Sequence, residues 1–65
     1  METVFVFDKD EMIPMLQDEV KKILKTIGKD WQSVGNVGVD FDAKGITFCV
    51  YDQQGNLLIE KKSKV

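Results

Sequence analysis

The chain has 65 residues and a net charge of −2, with one cysteine, no histidine and nine basic residues that are all lysines. This length is enough for one small domain over residues 1–65, which buries only about 60% of the surface exposed in the unfolded state. One cysteine excludes an internal disulfide, and the lack of histidine excludes a zinc site of the usual Cys/His kind. Because small domains without such cross-links often gain stability by association, the composition favours an oligomer.

Composition also argues against several kinds of partner. Arginine, the side chain best suited to bidentate contacts with phosphate and guanine, is absent, so direct nucleic-acid binding is not expected. No run approaches about 20 apolar residues, so no membrane span is predicted. Residues 1–7 contain no basic stretch and do not resemble a signal peptide. Together with a free cysteine, these features predict a cytoplasmic protein.

The first half of the chain predicts a strand followed by a helix. Thr3–Phe7 is a run of β-branched and aromatic residues, typical of a strand covered on both faces. A helix is predicted from Asp10 to Ile27, where apolar residues are spaced three and four apart. Lysines in the last turns and Gly28 as C-cap suit the end of a helix. The apolar stripe comprises Met12, Met15, Leu16, Val20, Ile23, Leu24 and Ile27.

The second half predicts three strands, over residues 37–41, 46–51 and 57–61. Two similar turns, Asp42–Gly45 and Asp52–Gly55, separate them. Aspartate favours the first position of a type I turn, and glycine accepts the left-handed conformation of the bulge that follows. The predicted fold is therefore α+β, in the order β-α-β-β-β, with one amphipathic helix packed on a small antiparallel β-meander sheet.

The register of these hairpins decides which side chains share a face of the sheet. Bulges at Gly45 and Gly55 pair Val39 with Cys49, and Cys49 with Ile59. One predicted face then carries Val37, Val39, Phe41, Cys49, Tyr51, Leu57 and Ile59, and the other carries Ile46, Phe48, Val50 and Leu58. Both faces are apolar, and a single helix can cover only one of them.

An uncovered apolar face predicts a two-fold homodimer formed through the sheet, or contact with another protein. Trp31, in the loop after the helix, either seals the edge of the core or anchors an interface. The predicted function is a small non-enzymatic protein–protein interaction module, such as a regulator, inhibitor or adaptor of the kind that phages encode. The residues expected at the interface are Trp31, Val37, Val39, Tyr51, Leu57 and Ile59.

No set of residues indicates a catalytic, metal or cofactor site. Asp40–Gly45 begins like a calcium loop, but Lys44 occupies a ligand position and Tyr51 stands where a bidentate glutamate is needed. Cys49 has no adjacent base, so it is predicted to be a small buried apolar residue. Two alternatives stay open: a small enzyme with an unrecognised site, and an acidic inhibitor that mimics DNA through the carboxylates of residues 2–19.

Two short segments, Val50-Tyr51-Asp52 and Gly55-Asn56-Leu57-Leu58-Ile59, are similar to part of the flagellar FlaG family. The similarity is confined to the helix and the meander. Since the matching residues are those that hairpins generally use, the resemblance implies no activity, partner or site residue.

Overall fold

The structure is a computed structural model that describes residues 3–63, with side chains from Phe5 onwards. Its strands form one antiparallel sheet in the order β1-β2-β3-β4, which confirms the predicted α+β fold with a β-meander. The prediction for the chain start rests partly on Met1 and Glu2, which lie outside the described residues. The elements are β1 (Thr3–Asp8), a 3-10 turn (Lys9–Glu11), α1 (Pro14–Lys25), a second 3-10 turn (Trp31–Ser33), β2 (Val34–Asp42), β3 (Gly45–Asp52) and β4 (Leu57–Ser63).

Helix α1 begins at Pro14 and not at Asp10 as predicted. A residue before proline is disfavoured in the helical region, and Ile13 is extended, with ψ of 149°. Pro14 itself suits the first helical position, where its missing N–H has no helical acceptor. Asp10 and Glu11, where the predicted helix began, lie instead in the 3-10 turn Lys9–Glu11.

The helix ends at Lys25, two residues before the predicted Ile27, and Gly28 closes the turn that follows it. Its φ of 69° is in the left-handed region. The N–H of Lys29 donates to the carbonyl of Leu24 at 3.1 Å, and that of Gly28 donates to the carbonyl of Lys25 at 3.4 Å. This pair of hydrogen bonds is the Schellman motif, which satisfies carbonyls that the last turn leaves without a helical donor.

The core lies between α1 and one face of the sheet. Phe48 in β3 is its largest fully buried side chain, at 1% exposure. Met15 was predicted to belong to the apolar stripe but is 73% exposed, because it lies to one side of the helix face that packs on the sheet. The buried residues are Met12, Val20, Ile23, Leu24, Val34, Val37, Val39, Phe48 and Val50.

The first hairpin differs from the prediction. Asp42 pairs directly with Gly45 across a two-residue turn, so Val39 pairs with Phe48 and not with Cys49. A slip of one residue moves every side chain of a strand to the other face, and the predicted faces are therefore wrong. The side chains under the helix are Val37, Val39, Phe48 and Val50, whereas Cys49 and Tyr51 lie on the opposite face, called the open face below.

The second hairpin has the predicted bulge at Gly55, whose φ is 86°. The N–H of Gly55 donates to the carbonyl of Asp52 at 3.1 Å, and the N–H of Asp52 donates to the carbonyl of Asn56 at 2.9 Å. The Asp52 carboxylate also accepts N–H groups of Gln54 and Asn56, at 2.8 and 2.9 Å. These bonds, chiefly the one from Asn56, hold the pKa of Asp52 below its usual value.

Beyond this turn the predicted register is half right. Tyr51 pairs with Leu57 as predicted. A further register shift between Val50 and Tyr51 then places Val50 opposite Ile59, where Cys49 was expected. Ile59 therefore lies on the helix side of the sheet.

Gly55→Val is expected to lower the free energy of unfolding by about 1 kcal/mol or more, because a β-branched residue resists positive φ. No atom lies within 4 Å of the Cβ that the substitution adds, so the cost reports backbone strain without collision. Gly55→Asn is the control, since asparagine tolerates this region better. Denaturant titration measures both variants, and wild-type stability in Gly55→Val would contradict the bulge.

Candidate functional site

The residues predicted at the interface do not form one surface. Val37 and Val39 are 0% exposed beneath α1 and offer nothing to a partner, which corrects their assignment to an uncovered face. Ile59 also lies on the helix side and packs against the core. Tyr51 and Leu57 remain on the open face, half-buried and 55% exposed respectively. The register of the first hairpin is the cause of this separation.

Trp31 lies half-buried at the rim of the core. The Lys21 ammonium is 5.3 Å from the centroid of its ring, and Lys9 Nζ donates to its carbonyl at 3.3 Å. The ring borders an open pocket of about 270 Å³ lined by Lys21, Leu24, Lys25, Lys29 and Asp30. Contacts within the chain hold both the ring and the backbone of Trp31. Its environment therefore fits a residue that seals the edge of the core better than one that anchors an interface.

The open face is largely polar, contrary to the expectation of a second apolar face. Cys49 Sγ donates to Glu60 Oε2 at 3.5 Å, and Lys62 Nζ donates to Asp42 Oδ2 at 3.3 Å. The described side chains on this face are Val6, Asp8, Asn36, Asp40, Asp42, Thr47, Cys49, Tyr51, Leu57, Glu60 and Lys62. Packing two such faces together would bury charges, so the apolar basis for a face-to-face dimer is removed.

Cys49 lies half-buried on the open face and not in the core, which corrects its predicted position. Burial, followed by the hydrogen bond and charge of Glu60, raises the pKa of the Cys49 thiol above its usual value. A raised pKa leaves little thiolate at neutral pH, so this thiol is a poor nucleophile. Within residues 3–63, no group of three or more His, Cys, Asp or Glu is placed to hold a metal ion.

An aromatic cluster lies on the helix side of strands β1 and β2. Phe5 pairs with Val39, which places it on the helix side, yet it is 47% exposed. Its ring centroid is 5.8 Å from that of Phe41 in an edge-to-face arrangement, and 6.2 Å from that of Phe7. Phe41 is itself 39% exposed. Helix α1 therefore covers the middle of the sheet and leaves these rings partly in water.

Strand β1 is also an edge of the sheet, with β2 as its neighbour. Val6, on the open side, is 66% exposed, so the expectation that β1 is covered on both faces is wrong. The reason is that α1 lies over the central strands, and no described element packs on the other side. We call Phe5, Val6, Phe7, Phe41 and the outer backbone of β1 the β1 edge surface.

The opposite edge of the sheet is of a different kind. Strand β4 exposes Glu60, Lys61 and Lys62, and its pairing with β3 contains a register irregularity. Charged side chains and bulges are devices by which proteins discourage pairing at an edge strand. The segment 3–7 of β1 has neither a charge nor a proline, and its pairing with β2 is regular. Of the two edges, β1 is therefore the unprotected one.

Sequence reasoning missed Phe5, Val6 and Phe41 as surface residues. A continuous apolar strand is typical of a buried position, and that pattern alone does not distinguish a central strand from an unprotected edge. The number of predicted helices and strands could have indicated their exposure. One helix of 12 residues is too short to cover a four-stranded sheet.

No family model, curated protein or solved structure matches the chain at a significant level. The similarity of the second hairpin to the FlaG family thus has no further support. Among the residues described, no helix is long and apolar enough to cross a membrane.

Proposed function

We propose that the protein is a non-enzymatic protein–protein interaction module that self-associates as a two-fold homodimer through its sheet, and that it acts as a regulator, inhibitor or adaptor. The observation that carries the proposal is the β1 edge surface. It combines an unprotected edge strand with exposed apolar side chains on both of its faces, Phe5 at 47% and Val6 at 66%. An unprotected edge strand of this kind is a template on which another strand can pair.

The energetics favour covering this surface. Full burial of a valine or phenylalanine side chain stabilises a protein by about 1.5–3 kcal/mol. In the single chain, Phe5 and Val6 gain only part of this stabilisation because both side chains are exposed. A two-fold interface uses each residue twice, so the contribution of both side chains doubles in the dimer. This gain offsets part of the loss of translational and rotational freedom on association, and main-chain hydrogen bonds of the edge strand would add to it.

Polar groups elsewhere support a binding role over catalysis. The Cys49 thiol has a raised pKa and donates to Glu60. The carboxylates of Asp42 and Asp52 accept N–H groups of their own turns, and those bonds lower the pKa of each carboxyl. Thiol and carboxylate groups that make such hydrogen bonds stabilise local structure, and they are poorly suited to exchange protons with a substrate.

Val6→Lys is expected to convert the dimer to a monomer while the fold stays intact. Val6 is 66% exposed and contributes little to the core. A lysine there removes apolar contact, and it brings like charges together across a two-fold axis. Light scattering over the micromolar range gives the mass directly: that of two chains for wild type, and of one chain for Val6→Lys.

Leu57→Lys is the matched control, because Leu57 is 55% exposed but lies at the start of the opposite edge strand. It is expected to stay dimeric, and circular dichroism with thermal melting checks that both variants are folded. A wild-type chain that is monomeric at every concentration contradicts self-association. If Leu57→Lys dissociates while Val6→Lys does not, the interface lies near Tyr51 and Leu57 instead.

A further inference from the structure

We propose that the two copies join edge to edge, through antiparallel pairing of their β1 strands about a two-fold axis at Phe5, so that two four-stranded sheets become one continuous sheet of eight strands. This inference rests on the self-association proposed above and adds its geometry. The occupant of the β1 edge surface is thus a second copy of the same strand.

Edge pairing suits the chemistry of the surface better than face packing does. The open face carries Asp40, Glu60 and Lys62, and stacking two such faces would take charges out of water. An edge strand instead has a row of outward N–H and C=O groups that another strand can satisfy. Strand addition of this kind obtains affinity from main-chain hydrogen bonds and specificity from alternate side chains.

The position of the axis follows from the sequence of β1. With the axis at Phe5, Phe5 stands opposite Phe5 of the second copy and Val6 stands opposite Val4, so the apolar segment meets only itself. Directly opposite residues share a face of the sheet, so the axis must pass at a residue and not between two residues. An axis at Val6 brings the charged Asp8 into the pairing, opposite Val4, and charged residues discourage pairing at an edge.

The side chains on the helix side complete the interface. Both helices lie on the same side of the continuous sheet, because an axis perpendicular to the sheet preserves its faces. Phe5 is 47% exposed there, so α1 leaves room for a second ring beside it. Phe5 would meet Phe5 of the second copy, and each Phe5 ring is 5.8 Å from its own Phe41. Four rings then form one cluster in place of two half-exposed pairs.

Disulfide trapping tests this register in a Cys49→Ser background, where no native thiol interferes. Phe5→Cys is expected to form a disulfide-linked dimer on mild oxidation, because directly opposite Cα atoms lie about 4.5–5.5 Å apart, within disulfide range. Val6→Cys is the matched control. Its two copies are diagonal neighbours at about 7–8 Å, at or beyond the reach of a disulfide, so it is expected to stay reduced.

Amide hydrogen exchange of the unmodified chain provides a second measurement that does not depend on the variants. Outward amides of β1 are expected to exchange at least tenfold more slowly at concentrations that give dimer than at those that give monomer, while β4 amides are unchanged. A dimer that cross-links through Val6→Cys but not Phe5→Cys, or that protects β4 in place of β1, overturns the edge geometry and leaves self-association standing. A chain that is monomeric throughout overturns both.

Discussion

Ile23→Asp is expected to abolish the cooperative thermal transition of the domain. Ile23 is 7% exposed in α1, next to Leu24 at 1% and one turn from Val20 at 0%. An unpaired charge at such a site costs about 3–5 kcal/mol. The total stability expected for 65 residues is about 3–10 kcal/mol, at about 0.05–0.15 kcal/mol per residue. The substitution therefore removes much or all of it.

Lys22→Asp is the control, because Lys22 precedes Ile23 but faces water, with a side chain 78% exposed. It loses one surface ion pair with Glu19, at 4.0 Å, which is worth about 0–1 kcal/mol. Circular dichroism and thermal melting are expected to show this variant folded. A cooperatively melting Ile23→Asp protein would show that the apolar stripe does not pack on the sheet.

The elements of the fold could be predicted because their signals are local and repeated. The stripe through Val20, Ile23 and Leu24 has helical periodicity, and the Schellman turn needs a residue such as Gly28 that accepts positive φ. The start of the helix was misplaced because the acidic residues before Pro14 look like a first turn. The steric restriction that proline places on Ile13 decides the boundary instead.

The register could not be predicted in the same way, because the two turns have the same Asp-x-x-Gly pattern and fold differently. Gly55 has a φ of 86° and forms the expected bulge, whereas Gly45 has a φ of 148° and pairs directly with Asp42. The difference is consistent with the demands of the core. Only the observed pairing places Phe48 on the same face as Val37 and Val39, so that one helix covers them all. Burial of a phenylalanine, here at 1% exposure, outweighs a turn preference.

The prediction of the candidate site depended on this register more strongly than the prediction of the fold did. Val37 and Val39 were assigned to an interface because they were expected to share a face with Cys49. The exposed residues of the β1 edge surface were overlooked for the opposite reason: Phe5 and Val6 are as apolar as core residues, and only the position of β1 at the edge exposes them. Strand order is a tertiary property, and no local pattern encodes it.

Gly35→Ala is expected to destabilise the domain by about 3 kcal/mol, at the upper end of the range for overpacking. Gly35 lies in β2 where the pairing with β3 shifts between Val34 and Asn36. A Cβ at this position would lie 2.6 Å from the carbonyl oxygen of Asp52 and 2.9 Å from the Cα of Gln53. Because both atoms belong to the backbone, neither can rotate away, and the end of β3 must move.

Gly38→Ala separates this collision from the general effect of adding a methyl group to β2. Gly38 lies in the same strand, and the nearest atom to its added Cβ is the Cβ of Cys49, at the ordinary contact distance of 3.7 Å. Alanine also has a lower entropic cost than glycine within a strand, so the free energy of unfolding is expected to change by less than about 1 kcal/mol. Urea titration of both variants gives the comparison. Equal stability of Gly35→Ala and Gly38→Ala would mean that β2 and β3 do not approach each other at Gly35 as the structure places them.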